Sequence, residues 1–211
     1  MKPKHLEWFL SDLESFTDPK LNLEQYATDS ELALSILNCI NAEDCIEGHA
    51  VADLGCGCGI LLLGMAKLGA SYGLGIDIDE DALAICQRNI EVTEFTSTVD
   101  LLQLDVSCDI RALTDTFDIV IMNPPFGTKN NEGIDLKFVE AGLSIVSVGG
   151  AVYSLHKTST RHHILRKFSK RSDIDVECLA QLRWCLPKTY RHHKKTSVDI
   201  EVDLIRFSRF H

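Results

Sequence analysis

Asn123, Pro124, Pro125 and Phe126 stand at the end of an apolar run, in the segment IVIMNPPFGTKN. One proline stops a strand; two in succession also fix φ near −65° at both positions and leave the loop stiff. The Asn123 side-chain oxygen and the Pro124 carbonyl are acceptors held in place before any reaction begins, which is the condition for electrostatic preorganisation. Phe126 offers a face on which a flat group can stack, worth roughly 1–3 kcal/mol per nucleobase. Two fixed acceptors beside a ring suit a planar, conjugated amino nitrogen. Such a nitrogen is a poor nucleophile because its lone pair is delocalised, and acceptors at its protons favour the pyramidal form that can attack.

A second cluster lies upstream, where DLGCGCG spans Asp53 to Gly59 with glycines at 55, 57 and 59. Glycines let backbone N–H groups approach a ligand, and the helix that follows favours negative charge at its N-terminus. Asp77, in LGIDID, is placed to accept from ribose hydroxyls, and Asp105 lies where a base would sit in the same crevice. A dinucleotide site would show G-x-G-x-x-G; counted from Gly55, the last glycine of that pattern falls on Ile60. The spacing found after Asp53 is G-x-G-x-G, which resembles the first motif of class I S-adenosylmethionine-dependent methyltransferases. Their ligand has no pyrophosphate.

These residues need a scaffold that brings them to one edge. LEWFLSDLESF places Leu6, Phe9, Leu10 and Leu13 on one helical face, and Asp29 or Ser30 can cap a helix over ELALSILNCI. From Gly48 onward strands and helices alternate: AVADL, ILLLGMAKLGA, SYGLGIDID, EDALAICQRNIEVTE, TVDLLQLD and FDIVIMN, then DLKFVEAGLSIVS, GGAVYSLH and STRHHILRKFSK. That alternation demands a mostly parallel sheet with helices on both faces. DIDVECLAQLRW and SVDIEVDLIRF close the chain as a hairpin that adds one antiparallel strand; in the last, Val198, Ile200, Val202 and Leu204 alternate with Asp199, Glu201 and Asp203. The expected fold is α/β: a single Rossmann-like class I methyltransferase domain on a seven-stranded sheet. Residues 1–45 are expected to form a helical cap integral to that domain, and 46–211 its core.

Longer blocks narrow the family. LNLEQYATDSELA, VADLGCGCG, GIDIDEDAL, IVIMNPPFGTKNN, VYSLHK and KKTSVDIEVDLIRF together resemble the methyltransferase-like protein 5 family, over nearly the whole chain. The proline loop alone resembles the broader (D/N/S)-P-P-(Y/F/W) motif of enzymes that methylate adenine N6, cytosine N4 or glutamine N5. The closer resemblance implies methylation of one adenosine N6 in small-subunit (18S) ribosomal RNA, with S-adenosyl-L-methionine as donor. It implies that Gln25, Thr28, Gly55, Cys58, Asp77 and Asp105 touch the cofactor, with Asp53, Gly59, Val106 and Asn123 beside them, and that Asn123 to Phe126 hold the adenine. It also implies a heterodimer with a small zinc-binding activator subunit that adds strands at an edge. Strand order 3-2-1-4-5 would leave segment 98–105 unpaired on one side for it, although the residues themselves support only an apolar edge. Ala27 departs from the family's EQYPT block, where proline is expected, which bears on the contacts of Gln25 and Thr28. A protein glutamine-N5 methyltransferase and a non-catalytic ribosome-associated scaffold are the alternatives.

Charge supports an RNA substrate once it is divided. The net charge of the 211 residues is −10, but residues 1–150 hold 8 Lys and Arg against 25 Asp and Glu, a net of −17. Residues 151–211 hold 13 against 6, a net of +7. Local potential, rather than the total, attracts a polyanion. Two acid-free segments carry most of it: His156–Arg171, with Lys157, Arg161, Arg166 and Lys167, and Arg183–Lys195, with Lys188, Arg191, Lys194 and Lys195. Trp184 and Tyr190 are interleaved in the second as stacking candidates. Lys129 lies in GTKNNEG, the expected flap over the base. No C-x-x-C pair is present among eight cysteines, so no metal is expected and the thiols are expected to be reduced and buried. No apolar run approaches the ~20 residues of a membrane span, and the N-terminus lacks a secretory pattern. Cytoplasm and nucleus are the expected compartments.

Overall fold

A computed structural model describes residues 3–108, 110–127, 131–187 and 197–210. Five parallel strands run β1 Ala50–Leu54, β2 Tyr72–Asp77, β3 Val99–Gln103, β4 Phe117–Met122 and β5 Val146–Lys157. β6 Ile174–Pro187 and β7 Ser197–Arg209 follow, and the sheet order is β3-β2-β1-β4-β5-β7-β6. β7 pairs antiparallel with both of its neighbours, so it alone runs against the rest. The expected order 3-2-1-4-5 and the closing antiparallel strand are both present.

Among the described residues six α-helices cover the two faces: α1 Pro3–Ser11, α2 Ser30–Asp44, α3 Ile60–Lys67, α4 Glu80–Val92, α5 Ile134–Ile145 and α6 Arg161–Phe168. One face buries Leu6, Leu10, Ile36, Leu37, Ile40, Leu62, Cys86 and Ile90 from the first four helices against Val51, Ile119 and Ile121. The other buries Phe138, Val139, Leu143, Ile164 and Phe168 from α5 and α6 against Val120, Val152, Ile205 and Phe207. Alternate residues of each central strand thus supply the two cores, as the pleat requires. Asp29 caps α2, its Oδ1 accepting the Leu32 N–H at 2.7 Å, which satisfies one of the helix's orphan donors.

Several boundaries differ from the sequence expectation, each for a tertiary reason. The first helix stops at Ser11, short of the predicted Phe16. Beyond it the Asn89 carboxamide of α4 pairs with both backbone groups of Glu14, replacing the helical bonds. Residues 12–29 then run as an irregular strap. β5 starts at Val146, directly after α5, where a longer helix and a later strand are predicted; the register with β4 shifts between Phe117 and Ile119. Alternation along β7 implies that Asp203 faces solvent, yet it is fully buried beneath α6. Of the seven described cysteines, Cys56, Cys58 and Cys86 are buried as expected, Cys39 and Cys178 are half-buried, and Cys45 and Cys108 are exposed. No described helix is long and apolar enough to cross a membrane.

Candidate active site

The carboxyl ends of β1, β2 and β4 open into a cavity of about 520 Å³, well within the range of small-molecule sites. Gln25, Thr28, Asp53, Gly55, Cys58, Asp77, Asp105, Val106 and Asn123 all line it, joined by Pro125 of the rigid loop. Chain-distant residues predicted for one site are therefore brought together. Gly59 does not line the cavity. It has φ +88° and opens α3, and a Cβ there would run into the Cys86 thiol, so it shapes the turn from behind.

The glycine turn is held by the strand beside it. Gly55 N–H donates to Ile76 O at 2.7 Å and Gly57 N–H to Asp77 Oδ2 at 2.8 Å, while Asp77 Oδ1 accepts the Asp79 N–H at 2.9 Å. Asp77 thus orients the turn and keeps a lone pair on each oxygen for a hydroxyl pair in the cavity. Burial raises its pKa, although these backbone N–H groups work the other way. Asp53 is 2% exposed, and burial pushes its pKa up to about 8, against a bond from Leu62 N–H at 3.1 Å and with the Asp77 charge adding. A Cβ on Gly57 would sit 2.9 Å from the Phe16 ring, at φ +53°, so only glycine lets the strap lie on the turn. Asp105 Oδ1 accepts from Ser107 N–H and Oγ, at 2.8 and 2.7 Å, which fixes that carboxylate at the cavity wall.

The strap supplies much of the cavity's outer wall, from Leu13 to Asp29. Gln25 lines the cavity, but both ends of its amide are already used: Oε1 accepts Lys20 N–H at 2.7 Å and Nε2 donates to Asp79 Oδ2 at 2.6 Å. Its described bonds latch the strap to the loop after β2 rather than reach into the cavity. Lys20 Nζ reinforces the latch at Asp79 and Asp81, and these donors hold the Asp79 carboxyl below its ordinary pKa despite burial. Asn89, 3% exposed, is a site element absent from the sequence reading. Besides Glu14 it donates to Cys58 O at 2.9 Å, so one amide joins strap and glycine turn. A signal for it exists: Asn89 falls on the apolar stripe of α4, among Ile85, Cys86 and Ile90.

Asn123 is half-buried at the end of β4 and donates from Nδ2 to Thr28 Oγ1 at 3.0 Å. Pro124 is buried, and Phe126 stands edge-on to Trp184, ring centres 5.9 Å apart and planes at 80°. Lys157 Nζ lies 5.6 Å from the Phe126 centroid, where a cation is favoured by the ring face. Trp184 itself is 2% exposed in the core, so it cannot stack on a base; it is the wall that sets Phe126. That overturns its reading as a surface aromatic.

The first basic segment is also less free than its composition implies. Arg161 pairs with buried Asp203 through Nε and Nη2, the former at 2.7 Å, and Nη2 also reaches Gln181. Lys167 lies 3.8 Å from Glu140, and Arg171 pairs with Glu140 and Asp173. The acids missing from the segment are supplied by α5, β7 and the turn before β6. Arg161 is therefore corrected to a structural ion pair, whereas Lys157 and Arg166 are exposed. Lys129, Lys188, Tyr190, Arg191, Lys194 and Lys195 lie outside the described residues. Among the described residues no group of three or more His, Cys, Asp or Glu could hold a metal ion.

The Methyltransferase small domain family matches residues 29–175. The rRNA N(6)-adenosine-methyltransferase metl-5 of Caenorhabditis elegans is 48% identical over 211 residues, 99% of either chain. The corresponding METTL5 enzyme of Danio rerio is 48% identical over 209 residues, again 99% of each. In three dimensions the chain is similar to a crystal structure of a proposed RNA methyltransferase from Pyrococcus horikoshii, with a TM-score of 0.83 and 33% identity, covering 100% of this chain and 97% of that one. The residues around the cavity fit the donor of such enzymes: a bare Gly57 under the strap, an acid ending β2 and another just after β3, and apolar Ile78, Leu104 and Val106 for a flat base. The chain belongs to the methyltransferase small domain family and, within it, to the METTL5 family of S-adenosyl-L-methionine-dependent methyltransferases.

Proposed function

We propose that this protein methylates N6 of an adenosine in ribosomal RNA, and specifically in the small-subunit (18S) RNA. The observation that carries the reading is Asn123, whose amide N–H is taken by Thr28 while its carbonyl oxygen has no partner among the described residues, at the wall of the donor cavity. S-adenosyl-L-methionine, when bound, supplies a methyl group already activated on a sulfonium. The chain's task is then position. Asn123 Oδ1 and the Pro124 carbonyl hold the protons of the amino group, Phe126 takes the purine face, and no strong base is needed because the product nitrogen loses its extra proton readily to water. Lys157 beside Phe126, with Arg166 and the second basic segment, supports an RNA rather than a peptide substrate.

The partner and location belong to the same proposal. The activator subunit would pair along β3, which is five residues long, lies at the sheet edge and leaves Leu102 38% exposed; such an edge invites strand addition. A ribosomal RNA substrate would be met in nucleus and cytoplasm, and those are the compartments we propose. The test is incubation with methyl-labelled donor and either ribosomal RNA or release-factor protein, with Asn123→Ala alongside. Label in adenosine, lost in the variant, is the expected result. Label in protein alone favours the glutamine-N5 alternative, and indifference to Asn123→Ala favours the scaffold.

A further inference from the structure

His156 is a buried titratable group that the transfer step leaves unused. Along β5, Ala151, Tyr153 and Leu155 enter one core and Val152 the other. By the same alternation Ser154 and His156 share the Val152 face, under α5 and α6, and they are 0% and 1% exposed. His156 Nδ1 lies 3.2 Å from Asp135 Oδ2, in the first turn of α5. Burial works against ionisation of that carboxyl, yet the bonds from His156 and from first-turn N–H groups hold it below its ordinary range. A carboxylate only accepts, so Nδ1 carries the hydrogen and donates.

That bond acts where α5 lacks the usual anchor. Its N-cap is Gly133, which brings no capping side chain. The same turn shapes the donor cavity: Ile134 and Phe138 line it, and a Cβ on Gly55 would come 3.1 Å from the Phe138 ring. A shift of α5 against the sheet therefore moves a wall of the donor site.

The other ring nitrogen supplies a second observation. His156 Nε2 and Ser154 Oγ are both buried without a hydrogen-bond partner among the described residues. Nε2 accepts in a neutral ring and donates in a charged one, and in either form isolation costs free energy. Two positions apart on one strand face, the two residues stand about 6.6 Å from each other along the chain. One water making two hydrogen bonds of about 2.8 Å bridges a gap of about 5 Å. A hydroxyl beside a ring nitrogen gives such a water two polar partners in an enclosed place.

We propose that Ser154 and His156 bind one enclosed water, completing a chain from Ser154 through the water and His156 to Asp135, and that His156 is thereby a positioning residue for donor binding, holding the first turn of α5 against the cavity. This role concerns the donor site alone and is the same whichever nucleophile is methylated.

The test uses the full-length chain, with S-adenosyl-L-methionine and ribosomal RNA as ligands. A high-resolution crystal structure should show a solvent peak within hydrogen-bond reach of Ser154 Oγ and His156 Nε2, absent from Ser154→Ala. A dry site in the wild type overturns the water. His156→Phe fills the ring's volume and loses both bonds; calorimetry should then show the donor Kd weakened about 3–10-fold, up to what one hydrogen bond is worth. RNA binding measured without donor should stay within about twofold, because surface cations carry it. His156→Asn, whose amide N–H takes the place of Nδ1, should recover part of the donor affinity. A lower urea midpoint in His156→Phe with an unchanged donor Kd overturns the positioning role, as does a loss of donor and RNA binding in equal measure. If His156→Phe does not fold, Asp135→Asn, which keeps the shape and removes the charge, serves with the same criteria.

Discussion

Asp53 carries an electrostatic cost that can be measured. Its carboxyl has a pKa of about 8 in the folded chain, through burial first, with the Leu62 N–H opposing and Asp77 adding; an unfolded aspartate has about 3.9. Between those values the folded state holds a proton that the unfolded state has released. Stability from this group is complete below about pH 4, falls as pH rises, and levels off above about pH 8. The slope within the window is about 1.4 kcal/mol per pH unit, so going from pH 5 to pH 7 costs about 2.7 kcal/mol. That is a large part of the ~5–15 kcal/mol that holds a typical domain. Asp53→Asn keeps an oxygen for the Leu62 N–H and removes the titration. Urea unfolding at pH 5, 6 and 7 should show the variant gaining on the wild type by about that amount. Asp77, whose pKa is also raised, tilts both curves and drops out of the difference. Parallel curves for the two proteins would refute the reasoning. At pH 7 a donor cation should draw Asp53 into its ionised form, so binding should release a proton that calorimetry in two buffers detects, and Asp53→Asn should lose that release.

Three further outcomes follow from the geometry. Arg161→Ala leaves Asp203 buried with only the Thr158 hydroxyl and should lower the urea midpoint, with Arg161→Met/Asp203→Leu recovering most of the loss. Trp184→Ala should cost roughly 3–5 kcal/mol and, measured where circular dichroism shows the variant folded, lower kcat further because Phe126 loses its wall. Lys194→Glu/Lys195→Glu should weaken RNA binding and reduce the slope of log affinity against log salt by about 1.4, at roughly 0.7 per phosphate contact on single strands; an unchanged slope removes that segment from the footprint.

What could be read from the sequence was what depends on a few adjacent residues. The proline loop, the glycine turn and the acids after β2 and β3 are local patterns, and alternation of strands with helices fixes the parallel sheet and hence the edge where they meet. What failed depended on partners from elsewhere in the chain. A segment free of acids reads as free positive charge, yet Asp203 and Glu140 reach Arg161, Lys167 and Arg171 from other elements. Period-two alternation places Asp203 outside because it assumes a solvated face; α6 covers that face. Trp184 sits among basic residues in sequence and under Phe126 in space. The end of α1 was hidden because the bonds that replace its next turn come from the Asn89 side chain, seventy-five positions away.

The strap explains why the donor cavity and the amine acceptors can keep a common frame although they rise from different strands. It is tied to the turn after β1 through Asn89 and Cys58, to the loop after β2 through Asp79, and to the end of β4 through Thr28. Drift of these strand ends relative to one another strains those ties, and loss of either buried bond, at Asp79 or at Cys58, leaves a buried polar group at about 1–3 kcal/mol. A displacement of an ångström between the methyl carbon and the attacking nitrogen can cost about a hundredfold in rate. The ties hold distances of that kind, which the prolines alone cannot do. Rigidity within the Asn-Pro-Pro-Phe loop fixes its own shape; the strap fixes where that shape stands relative to the donor.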